Sequence, residues 1–438
     1  MSTHTDTLPL IGDRDPSALA DRSPPWLATL RRSAIARYRQ LGLPGPRTEA
    51  WKFTGLNALK GLQPVAASGS VALALPSAMA GLGRTEVRIV NGRLVEAPSA
   101  PPKGVEIVGL EDPASVPDWV NATLGTVASI ETQAFAALNT AQFDGGVAIR
   151  IARGAMPEVP ILLAIAGCGG DGATTIAHPR VLVVVEEGAS ADLVTVHQGT
   201  GSYLANPVTE IVVRAGARLG HAVLQAEGGD ALHIAMTAVR LADKAVYDGF
   251  VLSLGARLAR HEVRAELAGR NIEYRINGVY LGAGDQHHDL TTFIDHALPY
   301  GTSHEMVKGV LTGRARGVFQ GKILVRPDAQ KTDGFQMNRA LLLSRDAEVD
   351  SKPELEIYAD DVKCSHGATV GELDDDQLFY LMARGIRRAR ARALLVEAYV
   401  QEAIALIGRV PVRDAFAAVA AEWLDRHVAG EPATGEEA

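Results

Sequence analysis

The chain has 438 residues, of which 47% are apolar and 21% are charged, and its formal net charge is −8. This composition is ordinary for a globular protein of two or three domains, and the net negative charge argues against nucleic acid as a partner. The two cysteines, Cys168 and Cys364, cannot build a disulfide framework and indicate a reducing compartment. Residues 1–10 lack the features of a signal peptide, and no apolar run reaches the roughly 18 residues of a membrane span. A cytoplasmic location without membrane contact is therefore expected.

The first third of the chain predicts a mixed α/β cap. Residues 1–22 are polar and are expected to be flexible. Between residues 23 and 143, apolar residues at helical spacing predict one helix near the start of this region and another over about 117–139. The Asn91-Gly92 pair between them predicts the turn of a β-hairpin.

Residues 144–371 carry a long series of short aliphatic runs, many of which alternate apolar with polar residues as half-buried strands do. Similar glycine-containing corners close these runs. Gly188 and Gly216, from two such corners, are 28 positions apart, which is close to one turn of a solenoid. No helical segment separates the runs, which argues against a βαβ fold. The pattern favours a mainly β protein with a parallel β-helix core, and a β-sandwich is the alternative.

After residue 371 the pattern changes to a helical one. Asp374 has the position of a helix N-cap, with further carboxylates in the first turn. Two longer helices are predicted over about 387–407 and 413–427, so that residues 372–428 form a C-terminal α-helical domain. Residues 429–438 consist mostly of Gly, Pro, Thr and Glu and are expected to be disordered.

The chain has no GxGxxG loop, Walker A lysine loop, GxSxG elbow or HExxH motif. One local group of potential metal ligands contains Asp285, His287, His288, Asp289, Asp295, His296 and His304. His287 and His288 are adjacent, however, and adjacent residues of a strand point to opposite faces. The preferred interpretation is therefore that these are ordinary surface residues, with a metal site as the alternative.

A second candidate site is Cys364-Ser365-His366. Alternation along a strand places Cys364 and His366 on one face, where a thiol and an imidazole could together bind iron or sulfur. Composition alone favours a plainer interpretation, in which a small buried cysteine lies beside a hydrogen-bonded histidine.

Several segments of the chain resemble the SufB/SufD family of the SUF iron–sulfur cluster assembly system. They are residues 330–334, 341–343, 347–353, 355–371, 376–381 and 384–386, together with an N-terminal signature at residues 47–54. The resemblance is to the SufD form. SufB has a glutamate where this chain has His366, and it uses a cysteine upstream, whereas residues 330–334 contain none.

The resemblance implies a right-handed parallel β-helix between an α/β N-terminal cap and a C-terminal α-helical domain. It also implies a non-catalytic scaffold that forms a heterodimer with SufB through the β-helix and binds the ATPase SufC through residues 372–428. No permanently bound cofactor is expected. His366 and Cys364 become candidate metal ligands for transient iron or a nascent iron–sulfur cluster at the interface with SufB. In isolation, the same strand edge could instead form a homodimer.

Three alternatives remain at this point. The first is a SufB-like paralogue that holds the cluster directly. The second is a β-helix enzyme acting on polysaccharides, for which the chain shows no evident carboxylate cluster on a solenoid face and only 5% aromatic residues. The third is an autonomous metal-binding protein that uses the histidine group around His287.

Overall fold

The computed structural model describes residues 9–60, 62, 64–67, 74–82, 85–169 and 174–429. Its centre is a parallel β-solenoid of about seven turns. Residues 1–8 and 430–438, which belong to the two segments expected to be flexible or disordered, lie outside the described residues.

The N-terminal region contains short helices and strands that pack against one side of the solenoid. Its elements are α1 (Pro16–Asp21), α2 (Pro25–Leu41), 3-10 turns at Glu49–Trp51 and Asn57–Leu59, β1 (Val65–Ala66), β2 (Thr85–Val90), β3 (Arg93–Glu96), β4 (Val105–Gly109), α3 (Asp118–Asn121) and α4 (Ala134–Gln142). The predicted hairpin is confirmed, because β2 and β3 are antiparallel and both Asn91 and Gly92 have the positive φ of its turn.

The single helix expected over 117–139 is wrong. The structure has α3 and α4 instead, separated by irregular backbone that includes Gly125 at φ +82°. The buried carboxylate of Glu210 accepts hydrogen bonds from the N–H groups of Gly125, Val127 and Ala128 at 2.8, 2.9 and 3.1 Å. These groups are therefore satisfied without an intrahelical partner.

Two sheets form the solenoid. The first contains β5 (Gly146–Ile151), β7 (Thr175–Ala177), β8 (Arg180–Val185), β10 (Tyr203–Ala205), β11 (Val208–Val213), β13 (Leu232–Leu241), β15 (Leu258–Leu267), β17 (His287–His296), β19 (Arg316–Val325) and β21 (Glu348–Ile357), with β1 and β4 added from the cap. The second contains β6 (Ile161–Cys168), β9 (Ser190–Thr200), β12 (Arg218–Gln225), β14 (Val246–Ser253), β16 (Glu273–Gly282), β18 (Thr302–Leu311), β20 (Asp333–Leu342) and β22 (Lys363–Gly371), with β2 and β3 added from the cap.

Strands of successive coils pair in parallel along both sheets, which confirms the β-helix and rules out two packed antiparallel sheets. The described residues between 147 and 370 contain no α-helix. Gly188 and Gly216 occupy equivalent corners with φ of +67° and +64°, a left-handed conformation in which glycine carries no steric penalty. The two corners stack directly, since the Gly188 N–H donates to Ala215 O at 3.1 Å.

Side chains of the strands point alternately into the solenoid interior and onto its outer faces. The side chains on both of these faces are largely buried. Helices α2 and α4 cover the outer face of the first sheet, where Leu27 packs in one cluster with Leu182 and Val184. The C-terminal helices α5 (Asp375–Met382), α6 (Arg388–Ile404) and α7 (Val410–Leu424) follow β22. Helices α6 and α7 cover the second sheet, with the Phe250 and Phe416 rings 5.8 Å apart. Within the described residues, no helix combines the length and apolar character needed to cross a membrane.

Candidate functional site

The last coil of the solenoid carries the two candidate ligands. Strand β22 pairs with β20 in a register that places Cys364 opposite Gly334 and His366 opposite Gln336. Gly334 and Gln336 are buried in the interior, so Cys364 and His366 face the same way, toward the solenoid interior at its C-terminal end. The prediction that these two side chains share a face is confirmed.

The two side chains differ in accessibility. Cys364 is partly buried and packs against the main apolar core of the solenoid. Burial raises the pKa of its thiol, which favours the protonated and less reactive form. His366 is exposed, because no further coil of the described chain covers the interior at this end. Its imidazole is thus the more accessible of the two side chains.

A buried polar column lies behind His366. Gln336 is fully buried, and its Nε2 donates to Glu305 Oε2 at 2.6 Å one coil further in. Gly321 provides the space for this amide, since a Cβ at that position would lie 2.1 Å from Gln336 Nε2. Burial raises the pKa of Glu305 to about 7. The column therefore ends in a carboxyl group that can bind or release a proton near neutral pH.

The same coil presents a free strand edge. The N-terminal side of the solenoid is covered by β3 and β4, which pair antiparallel with β2 and β5. On the other side, β21 and β22 are the outermost described strands of their sheets. The Lys363 N–H donates to Thr332 O of the preceding coil at 2.9 Å. Strand alternation therefore directs the backbone groups of Cys364, His366 and Ala368 away from β20, toward the free edge of the sheet. This edge can accept another strand.

The histidine group around His287 does not form one site. His287 Nε2 lies 3.0 Å from Thr54 Oγ1 on the outer face, whereas His288 Nδ1 lies 2.8 Å from Ser253 Oγ in the interior. His296 Nε2 lies 2.9 Å from Ser303 Oγ, and His304 stacks on an outer aromatic ring. The opposite orientation of the first two is confirmed. The interpretation of the group as surface residues is wrong for His288 and His296, which are both fully buried, and for Asp289 and Asp295, which are 3% and 8% exposed.

The N-terminal signature at residues 47–54 joins the cap to the middle coils. Trp51 is buried beneath the guanidinium of Arg260, whose Cζ lies 4.1 Å from the ring centroid. Thr54 donates a hydrogen bond to Asp289, which also pairs with Arg260. These contacts indicate a structural task for this segment.

A third group, not expected from the sequence, comprises His197, Glu227 and His233 in the solenoid interior. The 28-residue period was the signal that could have found part of it. That period aligns His197, Gln225 and Ser253 as neighbours on three successive coils of the second sheet.

Residues 12–163 match a family model described as the SufBD protein N-terminal region, and residues 168–399 match one described as the SUF system FeS cluster assembly, SufBD core domain. The chain is 34% identical to the iron–sulfur cluster assembly protein SufD of Escherichia coli, over 82% of this chain and 84% of that protein. It is 31% identical to an iron–sulfur cluster assembly SufBD family protein of Synechocystis, over 88% of each chain. It is also 31% identical to Protein ABCI7, chloroplastic, of Arabidopsis thaliana, over 94% of this chain and 85% of that protein.

The matched segments cover both the cap and the solenoid, and they include the last coil with Cys364 and His366. The chain therefore belongs to the SufB/SufD family of SUF-system iron–sulfur cluster assembly proteins.

Proposed function

We propose that this chain is a SufD-type scaffold subunit without catalytic activity of its own. It pairs with a SufB-type paralogue, binds the SufC-type ATPase and supports the assembly of iron–sulfur clusters in the cytoplasm. The observation that carries the proposal is the free edge of β22, on which the exposed His366 lies next to outward-directed backbone groups.

Pairing through this edge would extend the second sheet into a partner solenoid. Main-chain hydrogen bonds would supply affinity, and the side chains around the edge would supply specificity. Strand β22 contains no proline, whereas β21 contains Pro353, which has no N–H to donate. The stronger pairing surface is therefore β22. A homodimer of the isolated chain would use the same surface.

The ATPase would bind the part of the C-terminal region that the solenoid leaves uncovered. Helices α6 and α7 pack their apolar sides against the second sheet. Helix α5, in contrast, carries three exposed apolar side chains: Phe379, Tyr380 and Met382 are 72%, 56% and 38% exposed. Large apolar side chains grouped on one short helix are typical of a protein–protein contact. These three residues form the α5 patch.

In the proposed complex, iron is a transient cargo and not a resident cofactor. His366 would donate an imidazole nitrogen to iron or to a nascent cluster shared with a cysteine of the SufB-type partner. Cys364 would be a weaker, secondary ligand, since its thiol is partly buried and has a raised pKa. No metal is assigned a permanent place at this end of the solenoid.

The test is affinity purification of this chain after co-expression with the SufB-type and SufC-type proteins of the same organism. Both partners should co-purify with it in a stable complex. Recovery of this chain alone, as a monomer or homodimer, would overturn the proposal. Retention of the ATPase without the paralogue would refute pairing through β22 and leave the α5 contact supported.

A further inference from the structure

A group of potential metal ligands lies in the interior of the middle coils, away from the last coil. It consists of His197 on β9, His233 on β13 and Glu227 in the connection between β12 and β13. One ligand atom from each of the three side chains lies within 4.8 Å of the other two. The residues are 4%, 0% and 4% exposed, respectively.

Among the described residues, a fully buried nitrogen of His233 has no partner. His233 Nδ1 lies 2.6 Å from Glu227 Oε1, and the ring of His197 approaches the ring of His233 edge-on with centroids 4.8 Å apart. His233 Nε2 is fully buried and has no hydrogen-bond partner among the described residues. Because Nδ1 is the atom that faces Glu227, an ion shared by the two side chains would bind Nδ1 in place of this short contact, and the ring would carry its proton on Nε2.

Further polar groups hold the carboxylate in place. Gln225 Nε2 donates to Glu227 Oε2 at 2.6 Å, and Gln225 Oε1 accepts from Ser253 Oγ at 2.8 Å. Ser253 Oγ also lies 2.8 Å from His288 Nδ1. This hydrogen-bonded chain links three successive coils. It has the character of the outer contacts that orient ligands around protein metal sites.

We propose that His197, Glu227 and His233 bind one divalent first-row transition-metal ion inside the solenoid. Two imidazoles and one carboxylate suit Zn²⁺ or Fe²⁺, whereas Ca²⁺ and Mg²⁺ prefer sites made wholly of oxygen ligands. The carboxylate offsets part of the charge of the ion, and the ion joins strands of the two sheets. This site is separate from His366 and does not depend on the proposed scaffold function.

The experiment uses the full chain, freed of metal by a chelator and titrated with Zn²⁺ and with Co²⁺ in a calorimeter. The double variant His366→Ala, Cys364→Ala serves as the background that removes the other candidate ligands. We expect one ion per chain in this background. Glu227→Gln and His197→Asn should each weaken binding by at least about 100-fold, and Gln225→Ala by about 10- to 100-fold. His296→Asn changes an interior histidine outside the group and should bind as the background does.

Metal should also raise the unfolding temperature of the background protein and leave that of Glu227→Gln unchanged. If the stripped background protein binds neither ion, the proposal is overturned and the group is a metal-free hydrogen-bonded pair. Undiminished affinity in Glu227→Gln would overturn it as well. If His197→Asn does not fold, Glu227→Gln and Gln225→Ala decide, because they keep both imidazoles. Co-purification with the SufB-type and SufC-type partners is measured separately, so failure of one proposal does not affect the other.

Discussion

Glu305 and Gln336 form a 2.6 Å hydrogen bond between two adjacent coils, with both side chains fully buried. Burial raises the pKa of Glu305 from 4.5 to about 7, and the amide of Gln336 only partly opposes that rise. Between these two pH values the folded chain holds a proton that the unfolded chain has released. The contribution of Glu305 to stability is therefore complete below pH 4.5 and is lost as the pH rises through 7.

The first prediction concerns this pH dependence. A shift from 4.5 to about 7 corresponds to about 3 kcal/mol of unfolding free energy between pH 5 and pH 8. Glu305→Gln keeps the hydrogen bond with Gln336 and removes the titrating group, so it should lose less stability over this range than the natural chain. Urea unfolding at both pH values measures the difference. Glu273→Gln, on an exposed side chain of the second sheet, is the control. Equal pH dependence of stability in the natural chain and in Glu305→Gln would show that Glu305 is not the group responsible.

The second prediction concerns the free edge. The backbone N–H of Ala368 is directed outward from β22, so Ala368→Pro removes a donor from the edge and leaves the hydrogen bonds to β20 intact. The loss of one main-chain hydrogen bond should weaken pairing with the SufB-type partner by about 1.4 kcal/mol, or tenfold. Affinity is measured with purified proteins. Ala368→Val keeps the N–H and should bind normally, and equal weakening by both variants would show that the side chain and not the edge is responsible.

The solenoid could be predicted because its repeat is visible in the sequence. The corner glycines Gly188 and Gly216 recur at 28 positions, and stacked coils place them in contact. The alternation of side chains also sufficed to place Cys364 and His366 on one face. The helix expected over 117–139 failed because Glu210, which is remote in sequence, satisfies the backbone groups of that segment.

The group of His197, Glu227 and His233 could not be predicted in full from the sequence, for a related reason. Helices cover both sheets, so strand residues are buried on the inner and the outer face, and polarity no longer tells which residues face the interior. His197 and His233 lie on different sheets. Period alone relates only residues of the same sheet, and Glu227 lies in a connection outside the strands.

The third prediction concerns the α5 patch. Phe379→Ala and Tyr380→Ala should each weaken binding of the SufC-type ATPase by about 2 kcal/mol if they are central to the contact. Both side chains are exposed, so the stability of the chain should change by no more than about 0.5 kcal/mol. Met156→Ala, at 69% exposure far along the chain from α5, is the matched control. Normal ATPase binding by the double variant Phe379→Ala, Tyr380→Ala would place the contact elsewhere.

These substitutions are a better test than deletion of everything after Gly371. Helices α6 and α7 cover apolar residues of the second sheet, among them Phe250 and Leu252. Deletion would expose this face to water and destabilise the solenoid. Loss of ATPase binding after such a deletion would then not separate a missing contact from an unfolded chain.

The last prediction concerns the candidate iron ligand. His366 is exposed and its side chain makes no hydrogen bond or ion pair within the described part of the chain, so His366→Ala should leave folding and complex assembly unchanged. If the imidazole binds iron, the variant should lower the iron content of the purified complex and fail to complement a strain that lacks this subunit. Cys364→Ala should cost less, because the thiol is partly buried and burial raises its pKa.

His304→Ala is the matched control for His366. It also changes a histidine near the C-terminal end of the second sheet, but His304 lies on the outer face, where its ring stacks on Phe335 at 4.8 Å. We expect His304→Ala to retain both iron and complementation. Full complementation and normal iron content in His366→Ala would show that His366 has no ligand role. A loss shared equally by His366→Ala and His304→Ala would instead indicate a structural effect at this end of the solenoid. A defect specific to His366→Ala identifies the His366 imidazole as the group that binds iron, since the two variants change opposite faces of the same sheet.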